Sequence, residues 1–225
     1  VNVDGITRIN VFTQVVSTSE EFKLVNQGPS VSQPQEETLL KIIENMNTED
    51  FLFVSGSHPE GITYTTYEKI AKAAQLRGFK LILDTSADFV PDLLKYRPYL
   101  IKPNDEELAE WFGLINPSLE EIKDCGQKLL EKGAENVLVS LGEKGAILFT
   151  PTETIHVTAP KGEVVNTACA GDTLLATFVG SQLLGLSNEQ ALIKAVAAGS
   201  STAFRPGLTD FSDVPTLMQQ IKRIL

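Results

Sequence analysis

From residue 37 onward, short apolar segments alternate with longer segments that have helical periodicity. The apolar segments FLFVSG, KLILDTS and YLIKPN are too short for buried helices and are rich in residues that favour strands. Each is followed by an amphipathic segment such as TTYEKIAKAAQLRG. Strands that are apolar on both faces, connected by helices, are typical of a parallel sheet covered on both sides. The pattern therefore predicts an α/β fold of three layers with a mostly parallel central sheet.

Two parts of the chain depart from this alternation. The segments ENVLVSLG, GAILFT and TIHVTAP follow one another with short connections, which predicts an antiparallel edge of the sheet. Near the start, TRINVFTQVV and EFKLVN alternate polar and apolar residues around the polar turn STSEE, which indicates a hairpin. The Gly/Pro/Ser-rich stretch NQGPSVSQP follows it. We therefore expect a β-rich segment and hinge over residues 1–30 and an α/β domain over 31–225.

Composition excludes several classes of partner. The net charge of −10 and the lack of a basic run argue against nucleic acid as a partner. No apolar run approaches the roughly 20 residues of a membrane span, so we expect a cytoplasmic protein with no membrane partner. Cys125 and Cys169 are far apart and form no C-x-x-C pair, which argues against a zinc site or a disulfide framework.

The segment VVNTACAGDTLLATFVG, residues 164–180, carries the most chemical information. The small residues Ala170 and Gly171 begin an apolar helix, whose first-turn N–H groups and positive dipole end can hold an anion. Asp172 follows them and is a candidate general base. The alternative is that Asp172 only caps its own helix.

The sequence NTACAGD resembles the signature [DN]-[ST]-x-G-A-G-D of the ribokinase-like (PfkB) carbohydrate kinases. The resemblance implies a ribokinase-like fold with part of a small β lid, in which Ala170 and Gly171 form an anion hole. It also implies that Asp172 deprotonates the hydroxyl of the sugar substrate. Cys169 stands where the family has glycine, which places a thiol beside the γ-phosphate of ATP.

Further segments match the family in the same order. KPNDEEL resembles the N-x-x-E element, which implies that Asn104 and Glu107 organise Mg²⁺ and phosphate through water. Taken alone, this segment is an ordinary acidic first turn of a helix. VSLGEKGAIL resembles the nucleotide loop of the family, which implies that four of its residues lie near the ATP phosphates and ribose: Ser140, Gly142, Lys144 and Gly145. Taken alone, it is a β-hairpin turn.

Two other matches concern the sugar and the adenine. SGSHPEGI resembles the family turn SGSLPPG beside the sugar, and AAGSSTAF resembles the wall of the adenine pocket. The segments TRINV and NQGPSVS are similar to the branch of fructose-1-phosphate and tagatose-6-phosphate kinases. That similarity implies that Arg8, on the lid, binds the substrate phosphate, and that a homodimer forms through the lid. Taken alone, Arg8 is a surface residue on an edge strand.

The resemblance implies ATP and Mg²⁺ as cofactors and phosphoryl transfer to fructose 1-phosphate or tagatose 6-phosphate. It begins partway into the family pattern, so we expect the amino-terminal third of that pattern to be missing. Two alternatives remain open within the family: a kinase for another sugar, and a sensor that binds nucleotide or sugar without catalysis. A Rossmann-type dinucleotide enzyme is the alternative outside it, although no G-x-G-x-x-G motif follows any strand.

Overall fold

The computed structural model describes residues 1–15 and 20–224, without the side chains of Phe12, Gln14, Glu20, Glu21 and Lys23. The chain divides into two compact units. The first contains Val1–Ile101 and Lys128–Glu135, and the second contains Lys102–Gln127 and Asn136–Leu225. The domain boundary that we expected near residue 30 stays a prediction.

The first unit begins with the predicted hairpin. Strands β1 (Asn10–Val15) and β2 (Glu20–Val25) pair antiparallel as a separate two-stranded sheet. Val11 faces Leu24 and Thr13 faces Phe22 across the pair. Of the predicted turn STSEE, residues 17–19 lie outside the described part of the chain.

Parallel strands follow in the same unit. Strand β3 (Phe51–Ser55) pairs with β4 (Lys80–Asp84), and β4 pairs with β5 (Leu100–Ile101), both in parallel. Strand β4 lies between β3 and β5, and its middle residues, Leu81, Ile82 and Leu83, are buried. The helices of the unit are α1 (Gln33–Ile43), α2 (Tyr64–Arg77) and α3 (Val90–Leu93), with a 3-10 helix at Leu94–Tyr96. Helix α5 (Leu119–Glu131) ends in this unit and begins in the other.

The second unit has an antiparallel set of strands. Strands β6 (Val137–Ser140), β7 (Ala146–Phe149) and β8 (Thr154–Val157) pair in that order, which confirms the predicted antiparallel edge. The helices are α4 (Asp105–Phe112), α6 (Ala170–Leu183), α7 (Asn188–Ala203) and α8 (Val214–Met218). Among the described residues, none of the helices is both long and apolar enough to span a membrane.

Three predicted elements are shorter in the structure. The apolar pattern of DFVPDLLKY, residues 88–96, predicts a helix, but this segment forms only one turn of α3 and a 3-10 turn. The strand predicted for YLIKPN, residues 99–104, is reduced to the two residues of β5. The pattern of DVPTLMQQIKRIL, residues 213–225, also predicts a helix, but α8 ends at Met218. The chain beyond it returns to β8, where Ile224 donates a backbone hydrogen bond to His156 at 2.8 Å. Pairing with a distant strand therefore outweighs local helical preference at this end of the chain.

Candidate functional site

The first turn of α6 is the centre of the candidate site. Cys169 occupies the N-cap position in a left-handed conformation, with φ 61° and ψ 7°, and makes no side-chain capping hydrogen bond. Ala170, Gly171 and Asp172 then form the first turn. The amide of Ala170 donates to the carbonyl of Thr167 at 3.2 Å, whereas the amides of Gly171 and Asp172 have no backbone acceptor among the described residues. The amides of Gly171 and Asp172 therefore supply most of the positive charge at this end of α6.

A buried lysine approaches the same turn. Lys102 follows β5 and is only 7% exposed. A Cβ atom on Gly171 would lie 3.4 Å from Nζ of Lys102, so the absence of a side chain at 171 leaves room for the ammonium group. Lys102 belongs to the KPN segment but was not among the predicted site residues. An ammonium group beside first-turn amides is a strong arrangement for binding a phosphate.

Helix α7 packs against this first turn of α6. A Cβ atom on Gly199 would lie 3.0 Å from the carbonyl oxygen of Ala170 and 3.2 Å from Cβ of Leu174. Glycine at 199 therefore lets α7 pack closely against the turn that carries the candidate anion hole. Nothing in the local sequence around Gly199 indicates this contact, because the two helices meet only in the folded chain.

Asp172 is exposed and is not the N-cap residue, so the reading of this carboxylate as a simple helix cap loses its main support. Its charge acts on the neighbouring thiol. Desolvation raises the pKa of Cys169, and the negative charge of Asp172 and a hydrogen bond to that carboxylate raise it further. Cys169 is therefore a neutral thiol at pH 7, which can donate to the carboxylate and adds no negative charge to the candidate anion site.

Asn104 and Glu107 form a capping box at the start of α4. The amide of Glu107 donates to Oδ1 of Asn104 at 2.7 Å, and the amide of Asn104 donates to Oε2 of Glu107 at 3.0 Å. The local reading of this segment as a helix start is thus correct. The box engages one carboxylate oxygen of Glu107, and the other oxygen, Oε1, is not part of it.

The same segment pairs with the end of β6. The amide of Ser140 donates to the carbonyl of Pro103 at 3.1 Å, and Asn104 forms a parallel bridge with Ser140. This pairing places Asn104, and with it the capping box, beside the predicted nucleotide loop that follows β6. Lys102, in the same segment, reaches the first turn of α6.

The predicted nucleotide loop is the hairpin connection between β6 and β7, and its centre is a 3-10 turn, Gly142–Lys144. Gly145 ends it with φ 94° and ψ −132°. A Cβ atom there would lie 1.9 Å from the carbonyl oxygen of Val157, so only glycine fits. Gly142 and Lys144 are exposed, and a Cβ on Gly142 would meet nothing within 4 Å. The open side of the loop has room for a ligand.

All but the last residue of the segment AAGSSTAF lie in α7, and two of its hydroxyl side chains form hydrogen bonds within the protein. Ser201 donates to Oδ1 of Asp213 at 2.5 Å, and Thr202 donates to Oγ1 of Thr173 at 3.1 Å. Both residues are buried. These side chains stabilise the packing of α7, and the adenine-wall assignment of the segment stays a prediction.

Arg8 belongs to the first unit and lines a cavity there. Its Nη1 donates to Oγ of Ser57 at 2.5 Å, and among described residues no carboxylate forms an ion pair with it. The cavity has a volume of about 770 Å³, which suits a small ligand. Its polar wall includes Asn26, Gln27, His58 and Glu60.

No group of three or more His, Cys, Asp or Glu side chains forms a metal site within the described part of the chain. Mg²⁺ commonly keeps several waters and uses one or two carboxylates with substrate oxygens. The pair Asn104 and Glu107 fits that mode, because its oxygens are held in place by the capping box and Glu107 has a second carboxylate oxygen.

Comparisons with known proteins point to one protein family. The profile described as pfkB family carbohydrate kinase matches residues 1–216. The D-tagatose-1-phosphate kinase of Bacillus licheniformis is 47% identical over 223 residues, which are 99% of this chain and 72% of that protein. The 1-phosphofructokinase of Bacillus subtilis is 36% identical over 220 residues, which are 98% of this chain and 72% of that protein.

Solved structures show the same fold. Phosphofructokinase-2 from Escherichia coli superposes with a TM-score of 0.88 at 25% identity, covering 97% of this chain and 72% of that one. Ribokinase from Arabidopsis thaliana superposes with a TM-score of 0.72 at 25% identity, covering 94% of this chain and 69% of that one. The predicted ribokinase-like α/β fold is confirmed.

Proposed function

The chain belongs to the pfkB family of carbohydrate kinases, which use ATP as phosphate donor, and on that premise we propose that it phosphorylates a ketohexose 1-phosphate. Two relatives support this class, since one is named D-tagatose-1-phosphate kinase and the other 1-phosphofructokinase. Of the two substrates that we expected from sequence, fructose 1-phosphate is thus retained. Tagatose 6-phosphate is named by neither relative, and tagatose 1-phosphate takes its place. The proposal includes a cytoplasmic location.

The observation that carries the proposal is the approach of Lys102 to the first turn of α6. The ammonium group, the amides of Gly171 and Asp172 and the helix dipole all favour negative charge at one point. A transferring phosphoryl group carries such charge on its equatorial oxygens. We place that group here, within reach of the Asp172 carboxylate, which accepts the proton of the attacking hydroxyl.

The remaining roles follow the described contacts. When bound, Mg²⁺ would neutralise charge on the nucleotide phosphates, and Asn104 and Glu107 would hold it through water. Ser140, Gly142, Lys144 and Gly145 are assigned to the nucleotide phosphates and ribose, with Lys144 as the cation on the open side of the loop. Cys169 is assigned to the nucleotide side of the anion hole, as a neutral thiol.

Arg8 is assigned to the phosphate that the substrate already carries. Its guanidinium donates a hydrogen bond to Ser57, lines a cavity of suitable size and forms no ion pair with a carboxylate among the described residues. A planar guanidinium can bind a phosphate through two parallel hydrogen bonds. With Arg8 in this role, we expect the protein to bind a phosphorylated substrate more tightly than a free sugar.

The decisive test is Asp172→Asn, measured by ADP release with ATP and fructose 1-phosphate or tagatose 1-phosphate. We expect kcat to fall by about 10²-fold or more, the effect of losing a general base, with nearly unchanged ATP binding. Glu131→Gln, at the exposed end of α5, is the control and keeps full activity. An Asp172→Asn variant with the original kcat would remove this carboxylate from the mechanism.

Specificity is tested with Arg8→Ala over a panel of fructose 1-phosphate, tagatose 1-phosphate, tagatose 6-phosphate and free fructose. We expect the KM for the preferred sugar phosphate to rise at least tenfold and the KM for ATP to stay the same. Equal effects on the two substrates would contradict the assignment of Arg8. A preference of the unmodified protein for tagatose 6-phosphate would contradict the 1-phosphate class.

We also propose that two copies of the chain pair through the β1–β2 sheet. On one face of this sheet, cross-strand neighbours Val11 and Leu24 are 45% and 62% exposed, and Phe22 is 56% exposed. Such an apolar face is typical of an interaction surface. Light scattering should report a dimer that Leu24→Lys converts to monomer, and a monomeric parent protein would refute the pairing.

A further inference from the structure

His58 stands out within the turn that resembles SGSLPPG. The corresponding segment here is SGSHPEG, so a histidine stands in place of leucine and Glu60 in place of the second proline. Both residues line the cavity that contains Arg8. An apolar side chain at position 58 would offer no hydrogen-bond donor to the cavity, whereas an imidazole offers one when neutral and two when protonated.

The imidazole ring is held by aromatic contacts. Its centroid lies 6.0 Å from that of Tyr67, with the planes at 80°, and 6.0 Å from that of Phe89. Phe89 in turn packs on Tyr67 at 5.0 Å and on Tyr64 at 5.7 Å. This cluster restrains the ring, although His58 itself is exposed. The side chain is therefore positioned before a ligand arrives, which lowers the entropic cost of binding.

His58 also follows directly after the residue that holds Arg8. Ser57 accepts the hydrogen bond from the guanidinium, so the turn that carries the imidazole is fixed to the arginine. Among the described residues, the titratable side chains that share the cavity or the aromatic cluster with the imidazole are Arg8, Glu60, Tyr64 and Tyr67. Burial raises the pKa of Tyr67, so that phenol stays neutral near pH 7.

We propose that His58 is a second phosphate-binding side chain beside Arg8 and makes affinity for the sugar phosphate increase as the pH falls. This inference rests on the proposed function, because it assigns the cavity ligand as the phosphate of the substrate. Imidazole is the side chain that commonly changes charge between about pH 5 and 8. A protonated ring donates a charge-assisted hydrogen bond to a phosphate oxygen. The carboxylate of Glu60 has the opposite effect, because it repels the phosphate.

The test compares His58→Leu and His58→Gln with the parent protein between pH 6.0 and 8.0. Calorimetric titration with fructose 1-phosphate gives Kd without turnover, and the ADP-release assay gives KM. We expect the Kd of the His58→Leu variant, divided by that of the parent, to be about tenfold at pH 6.0 and to approach twofold at pH 8.0. The ionisation of the phosphate itself cancels in this ratio. Affinity for ATP and for free fructose should not change.

His58→Gln should show the same loss of pH dependence with a smaller loss of affinity, because the uncharged amide can still donate a hydrogen bond. Glu60→Gln removes the other charge and should leave the pH dependence in place. A ratio that is independent of pH, or an equal loss of affinity for ATP, would overturn the proposal. A parent protein that binds fructose 1-phosphate without turnover would refute the proposed function while leaving the role of His58 measurable by calorimetry.

Discussion

Replacing Gly145 by alanine tests the close approach of the predicted nucleotide loop to β8. The new Cβ would lie 1.9 Å from the carbonyl oxygen of Val157 and 2.7 Å from the carbonyl carbon of Thr158, both backbone atoms. The φ of 94° with ψ −132° adds backbone strain of about 1–3 kcal/mol for any residue other than glycine. Displacing the β8 backbone adds an overpacking cost of about 1–3 kcal/mol. Together these effects predict a loss of about 3–5 kcal/mol.

Gly142→Ala is the matched control in the same loop. It has φ 55°, but its Cβ would meet nothing within 4 Å, so only the left-handed conformation costs energy, about 1–2 kcal/mol. For a chain of 225 residues, about 1 kcal/mol lowers Tm by roughly 2–4 °C. We therefore expect Tm to fall by about 10 °C for Gly145→Ala and by about 4 °C for Gly142→Ala in thermal melts. Equal losses in the two variants would refute the close approach of Gly145 to β8.

Three further predictions concern other parts of the second unit. Glu107→Gln keeps the capping box, so Tm should change little, while the Mg²⁺ concentration for half-maximal activity should rise several-fold; an unchanged Mg²⁺ requirement would remove Glu107 from the metal site. Cys169→Gly should raise Tm by about 2 °C, because glycine adopts the left-handed conformation of position 169 without backbone strain, whereas Cys169→Ala should not raise it. Equal melting temperatures of the Gly and Ala variants would contradict that strain. Burial lowers the pKa of His156, so stability is full above the ordinary histidine pKa of about 6.5 and decreases as the pH falls below it. Urea unfolding at pH 5 and pH 7 should show this decrease in the parent protein and a smaller one in His156→Leu, and identical decreases would exclude His156 as its source.

Much of the site could be predicted because its chemistry is local in sequence. Asp172 lies next to Ala170 and Gly171, and the helix that follows them fixes how their amides and the carboxylate are placed. The pair Asn104 and Glu107 is spaced for a capping box, so its geometry also follows from four consecutive residues. For these groups, a helix start is enough to define the arrangement.

Other features depend on contacts between distant segments. Lys102 is 69 residues before Gly171, and neither sequence segment indicates that the ammonium group reaches the first turn of α6. The end of α8 is similar, since local helical preference extends past Met218 but the backbone pairs with β8 instead. Hydrophobic periodicity shows which face of each helix or strand is apolar, but it does not show which of these faces pack against one another.

By itself, the sequence determined the order of strands and helices, the parallel and antiparallel sets and the position of the proposed anion-binding turn at the start of α6. These depend on short-range periodicity, on helix ends and on residue type. Only the tertiary structure decided that Lys102 and Gly199 belong to that site, that Ser140 pairs with the KPN segment and that His58 shares a cavity with Arg8. Such contacts exist only once packing brings residues that are far apart in the chain within a few ångströms of one another.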